Sequence, residues 1–293
     1  MKSDEASQMT GTRKSYLRIV KFWRLYRKNR AAVLGLVVVT GLSILALGAP
    51  LVTSFEPLRL VARPFQSPSS QHLMGTDHMG RDLFTDVLYG ARTSLQIGFL
   101  AATTSVLIGT IVGALAGYYG SYKDEILMRI TEVFQVVPRL FLALAAVAIV
   151  GPTVWNVIWV IGLTSWPTTA RLVRAEFLSL RERPFVEASK GLGAGDIQVI
   201  WGEIFPNATS SIVVNSSFEV ARAIVLEAGL SFLGLGDANV ASWGRTLQEA
   251  QSYLQRAWWT SLFPGLFIAL TVLGLNLIGD GLNDALNPRL RER

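Results

Sequence analysis

Residues that can carry out chemistry are few in this chain of 293 residues. It contains no Cys and only two His, His72 and His78. The lack of Cys excludes disulfides, thiolate metal sites and Cys nucleophiles. Two imidazoles leave little material for general acid and base catalysis. The sequence therefore argues against an intramembrane enzyme, because no convergent set of His, Asp and Ser can be assembled from it.

Both His lie in one segment, together with Met74, Asp77 and Met79. This composition raises the question of a nickel or copper site, but the spacing matches no ligand geometry of those metals. The runs of Gly and Asp at 75–77 and 80–82 are typical of tight turns, with Asp as a helix cap. We therefore expect turns that lead into an outer helix, and no metal site.

Three charged residues interrupt an otherwise apolar stretch between 207 and 235, namely Glu219, Arg222 and Glu227. In a membrane such charges are exceptional, because one at the bilayer centre costs about 2.5 to 3.5 kcal/mol. Glu219 and Arg222 are three residues apart and can pair on one helix face. The three are candidates either for lining a pore or for holding helices together, and the sequence leaves both roles open.

The composition indicates that the elements carrying these residues cross a membrane. Hydrophobic residues make up 51% and charged residues 16% of the chain, against about 45 to 50% and about 25% in soluble domains. A spanning helix needs about 20 mostly apolar residues. Long charge-free stretches, one of them divided at Gly151-Pro152, predict five spans, and the apolar stretch between 207 and 235 adds a sixth. The six are 31–53, 94–118, 127–150, 153–170, 208–232 and 260–280.

The distribution of Lys and Arg predicts the orientation of these spans. With the N-terminus inside, the inner segments hold 20 of the 27 basic residues and the outer segments hold 6, while Arg222 lies within a span. This bias places both termini in the cytoplasm. The net charge of +6 is thereby explained by topology without any nucleic acid. The basic arm before residue 31 is expected to be a topology anchor, with an interfacial helix on anionic lipid headgroups as the alternative.

The inner segment 171–206 has the most internal order. Pro184 suits the first turn of a helix, and Gly191 and Gly193 suit its end, one of them in the left-handed conformation. One face of this helix is predicted from helical spacing: Phe185, Ala188, Ser189 and Leu192. Asp196 is a plausible N-cap of a second helix that reaches Pro206. The two short helices form a projection small enough to fit a groove on a partner.

The stretch EASKGLGAGDIQVIWGEIFPN, residues 187–207, resembles the EAA loop of ABC importer permeases. In that loop Glu-Ala-Ala is followed after three residues by Gly and further on by Leu-Pro. Four positions match: Glu187, Ala188, Gly193 and Pro206. Ser189 and Phe205 stand in place of Ala and Leu.

Further segments narrow the resemblance to the C-type permeases of dipeptide, oligopeptide and nickel importers. They are HLMGTDHMGRDLFTDVLYGARTSL at 72–95, EAGLSFLGLG at 227–236, the Ser-Trp-Gly at 242–244 and GDGLNDALNPRL at 279–290. The resemblance covers nearly the whole chain from about Lys28.

This resemblance implies an all-α polytopic membrane protein with six transmembrane helices, the type I ABC importer permease fold and a cytoplasmic coupling helix. It also implies a homologous second permease, two ATP-binding subunits and an extracytoplasmic substrate-binding protein. Glu187, Ala188, Ser189 and Gly193 are the expected contacts to the ATPase. The chain contains no Gly-Lys dipeptide and so no P-loop. ATP and Mg are therefore expected on the partner subunits, with no cofactor on this chain and no enzymatic activity of its own.

These expectations divide the chain into four parts. They are a basic arm at 1–30, the first span with its outer loop at 31–93, the permease core at 94–283 with the coupling loop 171–206, and a cytoplasmic tail at 284–293. The expected location is the plasma membrane, which is the inner membrane in bacteria.

Two questions of function stay open at this stage. Peptide is favoured over nickel or another small solute, although specificity in this branch rests mostly with the binding protein. An ion-coupled secondary transporter is a rival that could use the charges at 219–227, but the EAA loop argues against it. In the last outer segment, Trp243, Trp258 and Trp259 are predicted to lie at the membrane interface, with contact to the binding protein as the alternative.

Overall fold

The computed structural model describes residue 20 and residues 22–286 of the chain. Most of the predicted basic arm at 1–30 and the end of the predicted tail at 284–293 lie outside the described residues. Within the described range no β-strand longer than an isolated bridge occurs. The fold is therefore helical, as the sequence predicts.

A helical stretch at 22–26 and eleven further α-helices follow one another in the described range. The eleven are α1 Arg30–Leu47, α2 Ala49–Val52, α3 Leu83–Tyr119, α4 Ser121–Val136, α5 Arg139–Val150, α6 Val154–Arg181, α7 Pro184–Gly191, α8 Asp196–Gln198, α9 Phe205–Leu230, α10 Trp243–Ala250 and α11 Trp259–Leu286. A π-helical turn, Val199–Ile204, joins α8 to α9, and a second, Ser231–Leu235, follows α9. A short 3₁₀ turn, Gln251–Tyr253, follows α10.

Three of these helices, α1, α3 and α11, are long and apolar enough to cross a membrane, and α4 with α5 would make a fourth span. The predicted spans 153–170 and 208–232 correspond to α6 and α9, of 28 and 26 residues. At 1.5 Å per residue both exceed the 30 Å of a hydrocarbon core, but they are more polar. By length and composition the structure thus gives three or four spans, against the six predicted.

The predicted single helix at 127–150 is wrong. The chain breaks at Val137-Pro138, and α4 and α5 are bent by 84° relative to each other. Val137 has φ −91° and ψ 131°, which is the extended conformation that a following proline imposes on its neighbour. Because Pro138 has no amide hydrogen to continue the helix, Arg139 becomes the first residue of a new helix.

The longest helix, α3, merges the outer helix and the second span that were expected as separate elements. It begins after Asp82, whose side chain accepts a hydrogen bond from the Thr85 amide, and continues for 37 residues. A stripe of small residues at 109, 113 and 117 packs against α6. A Cβ on Gly109 would lie 2.6 Å from the Thr169 Cβ, and one on Gly117 would lie 2.6 Å from the Phe177 Cβ. The stripe therefore serves close helix packing within the subunit.

The two ends of the described chain lie together. Asn29 caps α1 by accepting from the Ala32 amide, and its Nδ2 donates to Asp284 Oδ2 over 2.8 Å. Tyr26 is buried in the same region with Ala32 and Ala285. The start of α1 and the end of α11 are consequently on one side of the molecule.

Candidate functional site

The helix predicted in the loop after α6 is present as α7. Pro184 occupies its first turn, as expected, and Gly191 is its last residue. Gly193 has φ +89°, which confirms the predicted left-handed glycine. The turn is closed by the Gly193 amide donating to the Lys190 carbonyl over 2.9 Å and the Ala194 amide donating to the Ser189 carbonyl over 3.1 Å. A helix end thus reverses the chain within four residues.

The predicted N-cap of the second helix, Asp196, is wrong by one residue. Gly195 is the N-cap of α8, and the Asp196 side chain instead accepts from the Tyr118 hydroxyl over 2.7 Å. Lys190 places its Nζ 4.9 Å from the centre of the Tyr118 ring. Tyr118 at the end of α3 therefore anchors both arms of the loop, a role that the sequence did not reveal.

The residue that anchors α7 lies outside the predicted face. Val186 is fully buried and packs in a cluster with Phe177, Val199 and Ile204. Four large apolar residues of the loop are exposed instead, with relative exposures of 38%, 90%, 75% and 51%: Phe185, Leu192, Ile197 and Trp201. The spacing identified a helix but could not tell which side contacts its own subunit. An apolar surface of this kind is typical of a contact with another protein.

The predicted coupling residues lie on this projection. Glu187 and Ala188 are exposed, and Ser189 is partly exposed. Glu187 forms no ion pair with any residue of the described chain, so its carboxylate is available at the surface. A Cβ on Gly193 would meet nothing within 4 Å, so the demand for glycine there is set by the backbone angle and not by space.

The charged residues of α9 form a second cluster. Glu219, in the middle of α9, is 1% exposed, and its Oε1 lies 3.3 Å from Arg222 Nη2 without hydrogen-bond geometry. This confirms that the two residues pair on one face. Arg139 joins them, with Nη1 3.9 Å from Glu219 Oε2 and Nη2 donating to Thr168 over 2.8 Å. Arg222 also donates to Asn215 over 3.2 Å.

Arg139 is the member of this cluster that sequence reasoning missed. Its position before a charge-free stretch placed it in the inner segment 119–139, whereas the structure places it level with the middle of α9. Pro138 was the available signal, because a proline interrupts a helix and so allows a new one to begin at Arg139 in another direction.

Glu227 has different surroundings. It is 1% exposed and accepts from the hydroxyl groups of Ser94, over 3.0 Å, and Ser231, over 2.8 Å. These bonds join α9 to α3 and to the π-helical turn. The cavity beside it has about 10 Å³, about the space of one water. This geometry favours helix packing over a place on an open path.

The outer segment forms the turns expected from its glycines and aspartates. Gly75 and Gly80 have positive φ, and Asp77 Oδ1 accepts from the amides of Met79 and Arg81, each over 2.8 Å. The His72 ring is buried, with Nδ1 2.7 Å from Asp82 Oδ1. Histidine here belongs to the network that caps α3.

One group in this segment has the composition of a metal site. Asp77, His78 and Glu249 each bring a ligand atom within 4.8 Å of the others. Arg81 lies among them, with Nη1 3.1 Å from Glu249 Oε2 and Nε 3.7 Å from Asp77 Oδ2. Arg245 also pairs with Glu249, with Nε 3.0 Å from Oε1. Because the two guanidinium groups already neutralise the two carboxylates, the donor set does not fit a divalent cation.

The tryptophans of the last outer segment divide between core and surface. Trp243 is fully buried and its Nε1 donates to the Val87 carbonyl over 3.0 Å. Trp259 is also buried and donates to the Thr76 carbonyl over 3.1 Å. The interfacial prediction is therefore wrong for these two, whereas Trp258 is 53% exposed. The Trp243 indole thus ties the last outer segment to α3, and the Trp259 indole ties the start of α11 to the first outer segment.

Comparison with known proteins connects these features to one family. Residues 109–292 match the model of the binding-protein-dependent transport system inner membrane component. Residues 15–73 match that of the N-terminal TM domain of oligopeptide transport permease C. The chain is 42% identical over 267 residues to the dipeptide transport system permease protein DppC of Alkalihalophilus pseudofirmus, covering 90% of this chain and 88% of the relative.

Solved structures agree in fold. An inward-facing conformation of the MetNI methionine ABC transporter matches with a TM-score of 0.58 at 19% identity, covering 69% of this chain and 96% of that one. An amino acid ABC transporter with histidines matches with a TM-score of 0.53 at 18% identity, covering 67% of this chain and 92% of that one. Taken with its long apolar helices and its loop, this chain belongs to the binding-protein-dependent transport system inner membrane components, as a multi-pass C-type ABC permease of the dipeptide and oligopeptide branch.

Proposed function

We propose that this chain is the membrane subunit of an ATP-driven importer that carries peptides into the cell by alternating access. The observation that carries this proposal is the 42% identity, over nine tenths of the chain, to a dipeptide permease. Its complex would contain a homologous second permease, two ATP-binding subunits and an extracytoplasmic binding protein. ATP and Mg would bind on the ATP-binding subunits.

We further propose that α7 is the coupling helix. Its inner side is fixed to α3 and α6 through Val186, and its outer side presents Phe185, Leu192 and the free carboxylate of Glu187. An apolar surface with one charge suits a cleft on an ATPase subunit that offers Lys or Arg. Since Val186 ties α7 to the helix bundle, a pull on this projection would be transmitted to the spanning helices.

The proposed topology has six spans, formed by α1, α3, the bent pair α4 and α5, α6, α9 and α11. Both termini would be cytoplasmic, which agrees with the contact between Asn29 and Asp284. The excess of basic residues on that side supports the orientation, even though Arg139 no longer counts toward it.

Reconstituted vesicles test this function. The complete complex should take up a labelled tripeptide only when ATP is present on the side of the membrane that carries the ATPase subunits. An imposed ion gradient should not change this uptake. Uptake driven by a gradient without ATP would establish a secondary transporter instead. Uptake of nickel in place of peptide would refute the proposed substrate.

A matched pair of variants tests the coupling helix. Glu187→Gln should lower stimulated ATP hydrolysis about tenfold, because a partner cation would lose its counter-charge. Glu182→Gln alters another exposed carboxylate, just before α7, and should change little. Equal effects of the two would argue against a role for Glu187 in docking.

A further inference from the structure

An open groove of about 440 Å³ lies between α5, α9 and α11. Its walls are mostly apolar and include Leu140, Val225, Leu226 and Val272. Two guanidinium groups, of Arg139 and Arg222, also line it. The groove thus combines an apolar wall with cationic groups at the level of the middle of α9.

The charges of this groove do not balance. Arg139 and Arg222 both approach one carboxylate, that of Glu219, at 3.9 and 3.3 Å. Glu219 is almost fully buried, whereas the side chains of the two arginines are 30% and 41% exposed. Among the residues that the structure describes, one positive charge therefore remains uncompensated, and it faces the groove rather than the protein interior.

The arginines also retain donors. Within the described part of the chain, Arg222 donates through Nη2, to Asn215, and Arg139 donates through Nη2, to Thr168. A guanidinium has five N–H donors in a planar fork that fits a carboxylate. Their other donors are free to bind an anion that enters the groove.

We propose that this groove binds the carboxylate of a peptide in transit, between Arg139 and Arg222, while the peptide's apolar side chains lie against Leu140 and Val225. The proposal rests on the proposed function and adds the chemical feature of the substrate that this subunit recognises. Glu219 keeps the net charge at one, which favours passage over permanent retention. The carboxylate is that of the C-terminus or of an acidic side chain.

Uptake by the reconstituted complex tests this with three labelled tripeptides: Ala-Leu-Ala, its C-terminal amide, and Ala-Asp-Ala amide. Each is first titrated onto the isolated binding protein, and uptake is compared at equal occupancy of that protein. Arg222→Gln should lower uptake of Ala-Leu-Ala about tenfold or more, the effect of losing a charge-assisted hydrogen bond, and uptake of its amide less than twofold. Dependence of Ala-Asp-Ala amide on Arg222 would assign the carboxylate to side chains as well; independence would assign it to the C-terminus.

The matched control is Arg129→Gln, because Arg129 is an exposed arginine of α4 whose one ion pair within the described residues is with Glu132. It should leave the ratio between the peptides unchanged. Arg139→Gln should also lower the ratio of Ala-Leu-Ala uptake to uptake of its amide. This variant replaces Arg222→Gln in the test if the Arg222→Gln complex does not assemble. Equal losses of Ala-Leu-Ala and its amide in both variants would overturn the proposal and leave a purely structural ion pair. If wild-type complex takes up none of the peptides, the proposed function fails instead.

Discussion

The turn at Gly193 can be perturbed selectively, because its backbone conformation favours glycine whereas its surroundings leave room for a side chain. Its φ of +89° lies in the left-handed region, yet a Cβ there would meet nothing within 4 Å. A residue with a side chain costs about 1 to 2 kcal/mol in that region, and β-branched Val is at the upper end. The equilibrium constant for the native turn in Gly193→Val should therefore fall about 5- to 30-fold, which lowers the population of that turn by up to the same factor.

The assay is peptide-stimulated ATP hydrolysis by the purified complex, with the yield of assembled complex measured alongside. Gly193→Val should insert and assemble normally, because the turn is at the surface, but stimulated hydrolysis should fall by that factor. Gly191→Val adds the same side chain two residues earlier, where space is equally open and φ is not left-handed. Gly193→Asn should retain most activity, because Asn tolerates the left-handed region. Equal hydrolysis in Gly193→Val and Gly191→Val would refute the reasoning.

Three further substitutions test packing within the helix bundle and the outer segments. Gly109→Val should abolish accumulation of folded subunit, because its Cβ would collide with α6, whereas Gly265→Val in α11 has open space and should accumulate normally on an immunoblot of membranes. Trp243→Ala should lower the unfolding temperature in detergent, by the roughly 3 to 5 kcal/mol of a buried Trp truncation, and exposed Trp258→Ala should not. Glu227→Ala should also lower that temperature, because it leaves two buried hydroxyl groups without their acceptor at about 1 to 3 kcal/mol each; an unchanged melting curve would show that those hydroxyls find other partners.

Patterns that depend on local backbone rules were predictable from the sequence. Pro184 at a helix start, the left-handed Gly193, the break at Gly151 and the cap at Asp82 all follow from requirements that act over a few residues. The pairing of Glu219 with Arg222 is equally local, since it depends only on helical spacing.

The features that were not predicted depend on which helix faces pack together, and this cannot be read from the spacing of residues in a single sequence. Helical spacing placed Phe185 and Leu192 on one side of α7, but the choice of Val186 as the anchor is made by Phe177 and Ile204 from distant parts of the chain. Arg139 was assigned to an aqueous loop because the composition does not show how far the two helices bend relative to each other. The observed bend at Pro138 is 84°.

The most direct test of the account uses the fact that this chain has no Cys, so that a single introduced Cys supplies the one thiol of this subunit, and the complex without it is the control. Leu192→Cys, on the exposed side of the coupling loop, should form a crosslinked product with an ATPase subunit when the assembled complex is treated with a short thiol-to-amine reagent. Leu60→Cys, at an exposed position of the outer segment, should not. A crosslink to the ATPase from position 60, or none from position 192 in an active complex, would contradict both the proposed orientation and the proposed coupling helix.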